Sequence, residues 1–315
     1  MIRRTLVPAL ATILILSACA GPVSEDAPAI SVENCGATVT FSEPPERVTL
    51  IDNPSVATLA ALGVLDRVTA KAGLYPTQYY PAEVAQQLES IETLTDKVDA
   101  TGHLQISREM VTATSPDLVI GSSDTVNRTT LGDTTPLLDE PAYCGSLTGE
   151  VTFEDAFDQV RLHGEVFQRQ EAAVEYIEAL QQRVAEAQRE PDGRTVAVLY
   201  PTPGSPVAYA YGHGSMSHPV VTAAGLTNVF ADEEQRVFEV SAEELVARNP
   251  DVILALYSDG DPQAILDAVT ALPGADAITA VRDGHILPML LSFAEPPSPL
   301  AVDGLELLGS YLDTP

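Results

Sequence analysis

The sequence predicts an α/β protein of two similar lobes, each built on a parallel sheet, joined by a long helical segment and separated by a cleft. Three observations lead there. The run from Thr152 to Glu190 is the longest with helical periodicity and no proline, and Gly164 is its only glycine. Its apolar residues fall at Phe153, Ala156, Phe157, Val160 and Phe167, then Ala173, Ile177, Leu180, Val184 and Ala187, the spacing of an amphipathic helix. The chain on either side of it repeats a pattern: Ile106 to Ile120 and Val240 to Leu254 both read as a serine-opened short helix, a Pro-Asp turn and an apolar strand. Upstream of each lies a second echo, Leu62 to Val68 and Ala224 to Phe230. Finally, strands alternate with helices along both halves, the order of a parallel α/β sheet.

Within Thr152 to Glu190, Thr152 and Asp155 form a capping-box pair, and Pro191-Asp192-Gly193 ends the run. At 1.5 Å per residue, one helix of this length would reach roughly 58 Å, wider than a small domain. Two helices are therefore expected, breaking between Gly164 and Gln170, the first crossing between lobes and the second packing on the later lobe. In chain order, Asn34 to Phe41 reads as a strand or hairpin arm, Arg47 to Ile51 as a strand, and Asn53-Pro54-Ser55 as the cap of a helix through Leu62. Val68 to Ala72 and Leu118 to Gly121 are strands, with a helix expected after Thr130 toward Leu138. The second half offers strands at Thr195 to Tyr200, Val207 to Tyr211, Val252 to Leu256 and His285 to Leu290, and helices at His218 to Ala224 and Leu300 to Leu312. The lobes are Rossmann-like, and the domains run 34–150 and 171–315, with 151–170 between them.

A chain of 315 residues suits about two domains. Apolar residues make up 45% and tryptophan is absent, a globular rather than a disordered composition. Asp and Glu number 45 against 16 Lys and Arg, so nucleic acid and anionic membrane faces are poor partners. The acids are scattered rather than blocked, which also suits a solubility or salt adaptation.

The first residues read as a targeting segment. Arg3 and Arg4 precede an apolar core, Leu6 to Leu16, too short to span a membrane. It closes on Leu16-Ser17-Ala18-Cys19, which resembles a bacterial lipoprotein signal; that resemblance implies cleavage before Cys19 and lipidation of its thiol, with 1–19 as signal and 20–33 as a flexible tether. Export leaves Cys35 and Cys144 as an even pair in an oxidising place, where a disulfide is expected. Its loop of about 110 residues could add roughly 4–5 kcal/mol by chain entropy. The alternative, a catalytic or metal-binding thiol, lacks a histidine close in sequence.

Open α/β sheets gather ligands at the carboxyl ends of their strands, so two such lobes imply a ligand cleft between them. The first lobe offers Asp52, Asn53, Tyr75, Tyr79, Tyr80, Ser122, Ser123 and Arg128 in those loops. The second offers Tyr209, Tyr211, His213, Met216, Tyr257, Ser258 and Ser292, with Arg236 nearby.

Several runs occur together in one known family: the lipobox, Asn34-Cys35-Gly36, Pro44-Pro45-Glu46-Arg47-Val48, Ala61 to Val68, and Ser115 to Ile120. Gly164-Glu165-Val166-Phe167, Ala224 to Phe230, Asn249-Pro250-Asp251-Val252-Ile253 and Ala280 to His285 continue the series. On these residues the chain resembles, over about 34–312, the substrate-binding lipoproteins of ABC importers for ferric siderophores and cobalamin, particularly actinobacterial ones. The resemblance implies two α/β lobes bridged by one long helix and opening only slightly. It implies capture of a metal chelate outside the cytoplasm by a lipid-anchored protein, then delivery to a permease with a cytoplasmic ATPase. It also makes the Cys35–Cys144 bond plausible. Many relatives carry a permease-docking glutamate on the first helix of each lobe; here Ala57 stands at the first position and His218 to Ala224 has no carboxylate.

A coordinatively saturated, often anionic ferric siderophore calls for aromatic walls, hydrogen-bond donors and one or two arginines, with no direct metal ligand and no resident cofactor. Tyr75, Tyr79, Tyr80, Tyr209, Tyr211 and Tyr257, with Ser123, are the expected walls and donors, and Arg128 and Arg236 the expected cations. His213 and Met216 complete the set, His213 as a donor or as an axial ligand to a chelate or haem. His213 and His218, five apart in a glycine-rich loop, do not match a helical metal-ligand pair. His103, His163 and His285 read as structural. Gly212-His213-Gly214-Ser215 is neither a phosphate loop nor a nucleophile elbow, so catalysis is not expected. The expectation is therefore a monomeric, lipid-anchored solute receptor for a ferric siderophore. Its rivals are a haem or cobalamin binder of the same fold, or a surface-anchored protein-interaction module.

Overall fold

The computed structural model describes residues 30–98 and 104–314. The signal segment, Cys19, most of the expected tether and His103 lie outside them. The last residues of that tether, Ile30 to Glu33, belong to a strand: β1 (Ile30–Asn34) pairs antiparallel with β2 (Ala37–Phe41), Asn34 opposite Ala37. The two-residue turn between them has Cys35 at φ 52° and Gly36 at φ 71°. Positive φ at both central residues is what a tight hairpin needs to match strand twist, and glycine adopts it at no steric cost.

The first lobe is a five-stranded parallel sheet. Its strands are β3 (Val48–Leu50), β4 (Val68–Ala72), β5 (Glu92–Thr95), β6 (Leu118–Ile120) and β7 (Leu137–Leu138), in spatial order β5-β4-β3-β6-β7. The second lobe holds β8 (Thr195–Pro201), β9 (Val207–Tyr211), β10 (Thr227–Asn228), β11 (Val237–Ser241), β12 (Val252–Tyr257) and β13 (Ile286–Leu290). Its order is β11-β9-β8-β12-β13, with β10 pairing β8. Every residue of β12 is buried, as a central parallel strand covered on both faces requires.

The repeated Pro-Asp turn does one job in both lobes. Ser115 and Asn249 each sit at positive φ two residues before the aspartate. Asp117 then accepts from the backbone amides of Glu46 (3.1 Å) and Arg47 (2.8 Å), just ahead of β3. Asp251 accepts from the amide and hydroxyl of Thr195, at 2.9 and 2.8 Å, at the start of β8. Each carboxylate satisfies backbone donors at the entry of the central strand beside it, setting its register.

Two expectations change. The segment after Thr130 completes the short helix Arg128–Leu131, makes a single 3-10 turn at Gly132–Thr134 and then enters β7. Pro136 has no amide proton and disfavours helical backbone at the residue before it, so Thr135 is extended. The second sheet is mixed rather than wholly parallel, because β9 runs antiparallel to β8 and β11 antiparallel to β9. The link from Pro201 to Val207 is too short for a crossover and can only make a hairpin.

The spine is two helices, Phe153–Val166 and Gln170–Ala187, broken by a turn in which Gln168 takes φ 52°. Thr152 and Asp155 form the capping box. The first helix packs on β1 and the helix Val56–Ala61 of the first lobe; the second packs on Leu300–Leu312 of the later lobe. There Arg183 bridges Asp303 (2.6 Å) and Glu306 (2.7 Å). The amino-terminal hairpin is fastened beside the end of the first sheet by the Cys35–Cys144 disulfide, with Cα atoms 6.0 Å apart. Asn34 adds a reciprocal pair with the Asp139 backbone, at 2.9 and 2.7 Å.

The two spine helices meet at Gly164, where an added Cβ would lie 2.6 Å from the Cβ of Ala173. Gly164→Ala gains about 1 kcal/mol of helix propensity but overpacks this contact. It is expected to lower unfolding free energy by about 1–3 kcal/mol in urea melts, with Ala173→Gly restoring most of the loss. Net stabilisation by the single change would contradict the close approach.

Candidate functional site

The lobes meet at the loops that follow their strands. Ser292, just after β13, donates its hydroxyl to Asn53 Oδ1 (2.8 Å) and its amide to the Tyr79 phenol oxygen (2.8 Å). Asn53, in the loop after β3, is held by donating Nδ2 to the Leu74 carbonyl (2.9 Å). The Tyr79 ring stands edge-on to Phe293 at 4.9 Å and to Tyr80 at 5.8 Å. Tyr80 donates to the Asn53 carbonyl (3.3 Å), and Tyr75 to the carbonyls of Asp52 (3.3 Å) and Ala72 (3.2 Å). The three first-lobe tyrosines thus gather around the Asp52–Asn53 loop, each with its phenol oxygen bonded to a protein group. Tyr79 and Tyr80 are buried in the junction, and burial raises the phenol pKa of Tyr79 to about 12.

A second cross-lobe contact lies beside it. The guanidinium of Arg236 sits 5.3 Å from the ring centroid of Tyr143, which belongs to the first lobe. Its Nη1 also pairs with Glu295 at 2.8 Å. Glu295 is only 1% exposed and accepts from the amide of Ser217 (3.2 Å). Tyr211, buried on β9, adjoins this pair. Tyr143 and Glu295 are absent from the residues expected on sequence grounds, although Glu295 follows a strand end, where the carboxyl-end rule points.

Other expected residues have different surroundings. Arg128 is not a free cation: it donates to Asn34 Oδ1 (2.9 Å) and to the carbonyls of Cys35 and Leu137 (both 3.3 Å), clasping the amino-terminal hairpin. Ser123 closes its own loop by accepting from the amide of Val126 (3.1 Å). Met216 is fully buried. His213 has Nδ1 3.0 Å from the Ala231 carbonyl, and its ring is 6.5 Å from that of His218. Among the described residues, no group of three or more His, Cys, Asp or Glu could hold a metal. Tyr257 ends β12 and is buried; Tyr209 is 41% exposed and donates to Glu239 (3.4 Å).

The electrostatics of this region are acidic. Burial pushes the Asp52 carboxyl up to about 6 against the opposing hydrogen bond from the Asn53 amide. Burial likewise raises Glu140, and Asp52, Glu295 and Asp139 add to the rise. Glu295 is raised by burial even with Arg236 beside it. Carboxyls from both lobes therefore lie near enough to raise one another, with Arg236 already paired to Glu295. Such a cleft offers aromatic faces, hydroxyls and poorly solvated carboxyls, and suits hydrogen bonding to a bulky solute better than neutralising a strongly anionic one.

The sequence profile of the periplasmic binding protein family matches residues 48–289. No curated protein matches the chain. A crystal structure from Saccharomonospora viridis, described as of an ABC-type Fe3+-hydroxamate transport system, is 47% identical, with 90% of this chain and 99% of that one covered, at TM-score 0.86. A vitamin B12 binding protein of Vibrio cholerae shares the fold at 20% identity, with 85% and 97% covered and TM-score 0.59. A heme-binding protein from Roseiflexus sp. RS-1 does so at 19%, with 84% and 97% covered and TM-score 0.62. With the profile spanning most of its length and a close relative covered almost end to end, the chain belongs to the periplasmic binding protein family.

Proposed function

We propose that this protein is the extracytoplasmic solute receptor of an ABC importer and that it captures a ferric hydroxamate chelate between its lobes. The observation that carries the reading is the 47% identity, over nearly the whole of both chains, to the protein of the Fe3+-hydroxamate system. Membership in a family of solute-binding proteins supports a transport role rather than catalysis. Iron is cargo here, already enclosed by its chelator, and the protein need supply no ligand to it. Lipidation of Cys19 would hold the receptor at the membrane beside its permease.

The cleft refines the solute. Three hydroxamates carry one negative charge each and leave Fe(III) neutral overall, whereas three catecholates leave the complex at about −3. Arg236 is already paired with Glu295, so it offers a trianionic complex no net positive charge, whereas a neutral complex needs none. This replaces the sequence-based expectation of free arginines meeting an anionic chelate.

In tyrosine-fluorescence titrations of the soluble protein from Ala20 onward, a neutral ferric trihydroxamate is expected to bind with Kd below about 1 μM. A ferric tricatecholate is expected to bind at least about tenfold more weakly, a difference of about 1.4 kcal/mol. Tricatecholate binding as tight would remove the charge argument. Silence toward every ferric chelate, with a Soret band on adding haem, would overturn the assignment itself.

Asp52 makes a separate prediction. Its folded pKa is raised from 3.8 to about 6, so its contribution to stability is fully present below about pH 4 and is lost as pH rises through 6. Asp52→Asn removes that loss while keeping an oxygen to accept from the Asn53 amide. The variant is expected to be more stable than the parent above pH 6, by about 2 kcal/mol, and equal to it near pH 4. Urea unfolding between pH 4 and 8 measures this; a constant difference across that range would contradict it.

A further inference from the structure

The ion pair of Arg236 and Glu295 is lopsided. The Glu295 side chain is 1% exposed, whereas that of Arg236 is 28% exposed. The guanidinium stands at the boundary between the lobes, 5.3 Å from the ring of the exposed Tyr143. Both oxygens of the carboxylate are engaged behind it. Oε1 accepts from the Ser217 amide (3.2 Å), at the start of the helix Ser217–Ala223, and Oε2 from Arg236 Nη1 (2.8 Å). A solute between the lobes can therefore touch the arginine, while the glutamate is out of its reach.

Two charges withdrawn from water add little net stability, because desolvation offsets their attraction. The consequence of the pair lies in what it does to the guanidinium. Paired, Arg236 presents no net charge, yet it keeps hydrogen-bond donors. The group carries five N–H donors, and among the described residues Nη1 is the nitrogen bonded to a side-chain acceptor. Such an arginine can donate to the oxygens of a neutral chelate without drawing an anion. Without Glu295, the same guanidinium is a full, permanent charge whose fork geometry suits anionic oxygens.

We propose that Glu295 determines the charge of the solute this receptor accepts. Building on the reading of the protein as a receptor for ferric chelates, it is a positioning residue that acts through Arg236. It holds the guanidinium beside Tyr143 and cancels its charge, so that the cleft selects neutral chelates over anionic ones.

The test uses two probes, a neutral cyclic ferric trihydroxamate and a ferric tricatecholate of charge about −3. The quantity read is the tricatecholate Kd divided by the trihydroxamate Kd, from tyrosine fluorescence at neutral pH in the soluble protein from Ala20 onward. Glu295→Gln removes the charge and keeps an oxygen to accept from the Ser217 amide. Glu295→Met removes it with an apolar chain of similar size, so the result does not hang on one variant folding. In each, the ratio is expected to fall at least about fivefold below that of the parent, and the shift to shrink in about 0.5 M salt. Adding Arg236→Gln to either variant is expected to return the ratio to within about twofold of the parent, since the pair again carries no net charge. A change that only loosens the junction weakens both chelates alike and leaves the ratio in place. An unmoved ratio would therefore overturn the proposal, as would a shift that persists once Arg236 is replaced. A parent protein that binds neither chelate would instead sink the ferric-chelate reading, and this proposal with it.

Discussion

The relation of the two lobes depends on Ser292. Its hydroxyl meets Asn53 and its amide meets the Tyr79 phenol, so one residue of the second lobe bonds two loops of the first within a buried junction. Both partners are themselves fixed, Asn53 by the Leu74 carbonyl and Tyr79 by the rings of Tyr80 and Phe293. Buried in low dielectric, these bonds are costly to break without replacement. The Arg236–Tyr143 contact and the spine then act on lobes already oriented.

That junction sits where the fold must put it. Each lobe is organised by a Pro-Asp turn whose carboxylate satisfies backbone donors at the entry of a central strand. With the central strands placed, their carboxyl ends and the loops beyond them face the other lobe. The spine adds the distance: a capped helix against the first lobe, a turn at Gln168, and a second helix against the last helix of the chain. Gly164 and Ala173 let the two pieces approach closely at that turn.

Much of this was legible before any coordinates. The doubled Pro-Asp pattern and the helical period of Thr152 to Glu190 are local signals, and both lobes and the two-helix spine follow from them. That the first-lobe tyrosines lie in loops after parallel strands was legible for a similar reason; that Tyr79 and Tyr80 are buried in the junction between the lobes was not. What the sequence hid is long-range pairing. Nothing near Arg128 in sequence reveals that its donors go to Asn34, Cys35 and Leu137, the first two more than ninety residues away. Nothing near Arg236 reveals Glu295, a buried partner fifty-nine positions on. The mixed second sheet could have been read from the short link between β8 and β9, a length signal that apolar pattern alone does not carry.

These pairings alter the chemistry of the cleft. With Arg236 bound to Glu295 and Arg128 clasping the hairpin, carboxyls and phenols remain, and they match a neutral iron chelate held by stacking and hydrogen bonds. The most direct test is the anomalous scattering of iron in crystals grown with a ferric trihydroxamate. The account predicts one iron peak between the loops carrying Tyr75, Tyr79 and Tyr80 and those carrying Tyr209 and Tyr257, beyond bonding distance of every protein atom. An iron peak outside the cleft, or one bonded directly to a histidine, tyrosine or carboxylate of the protein, would contradict it.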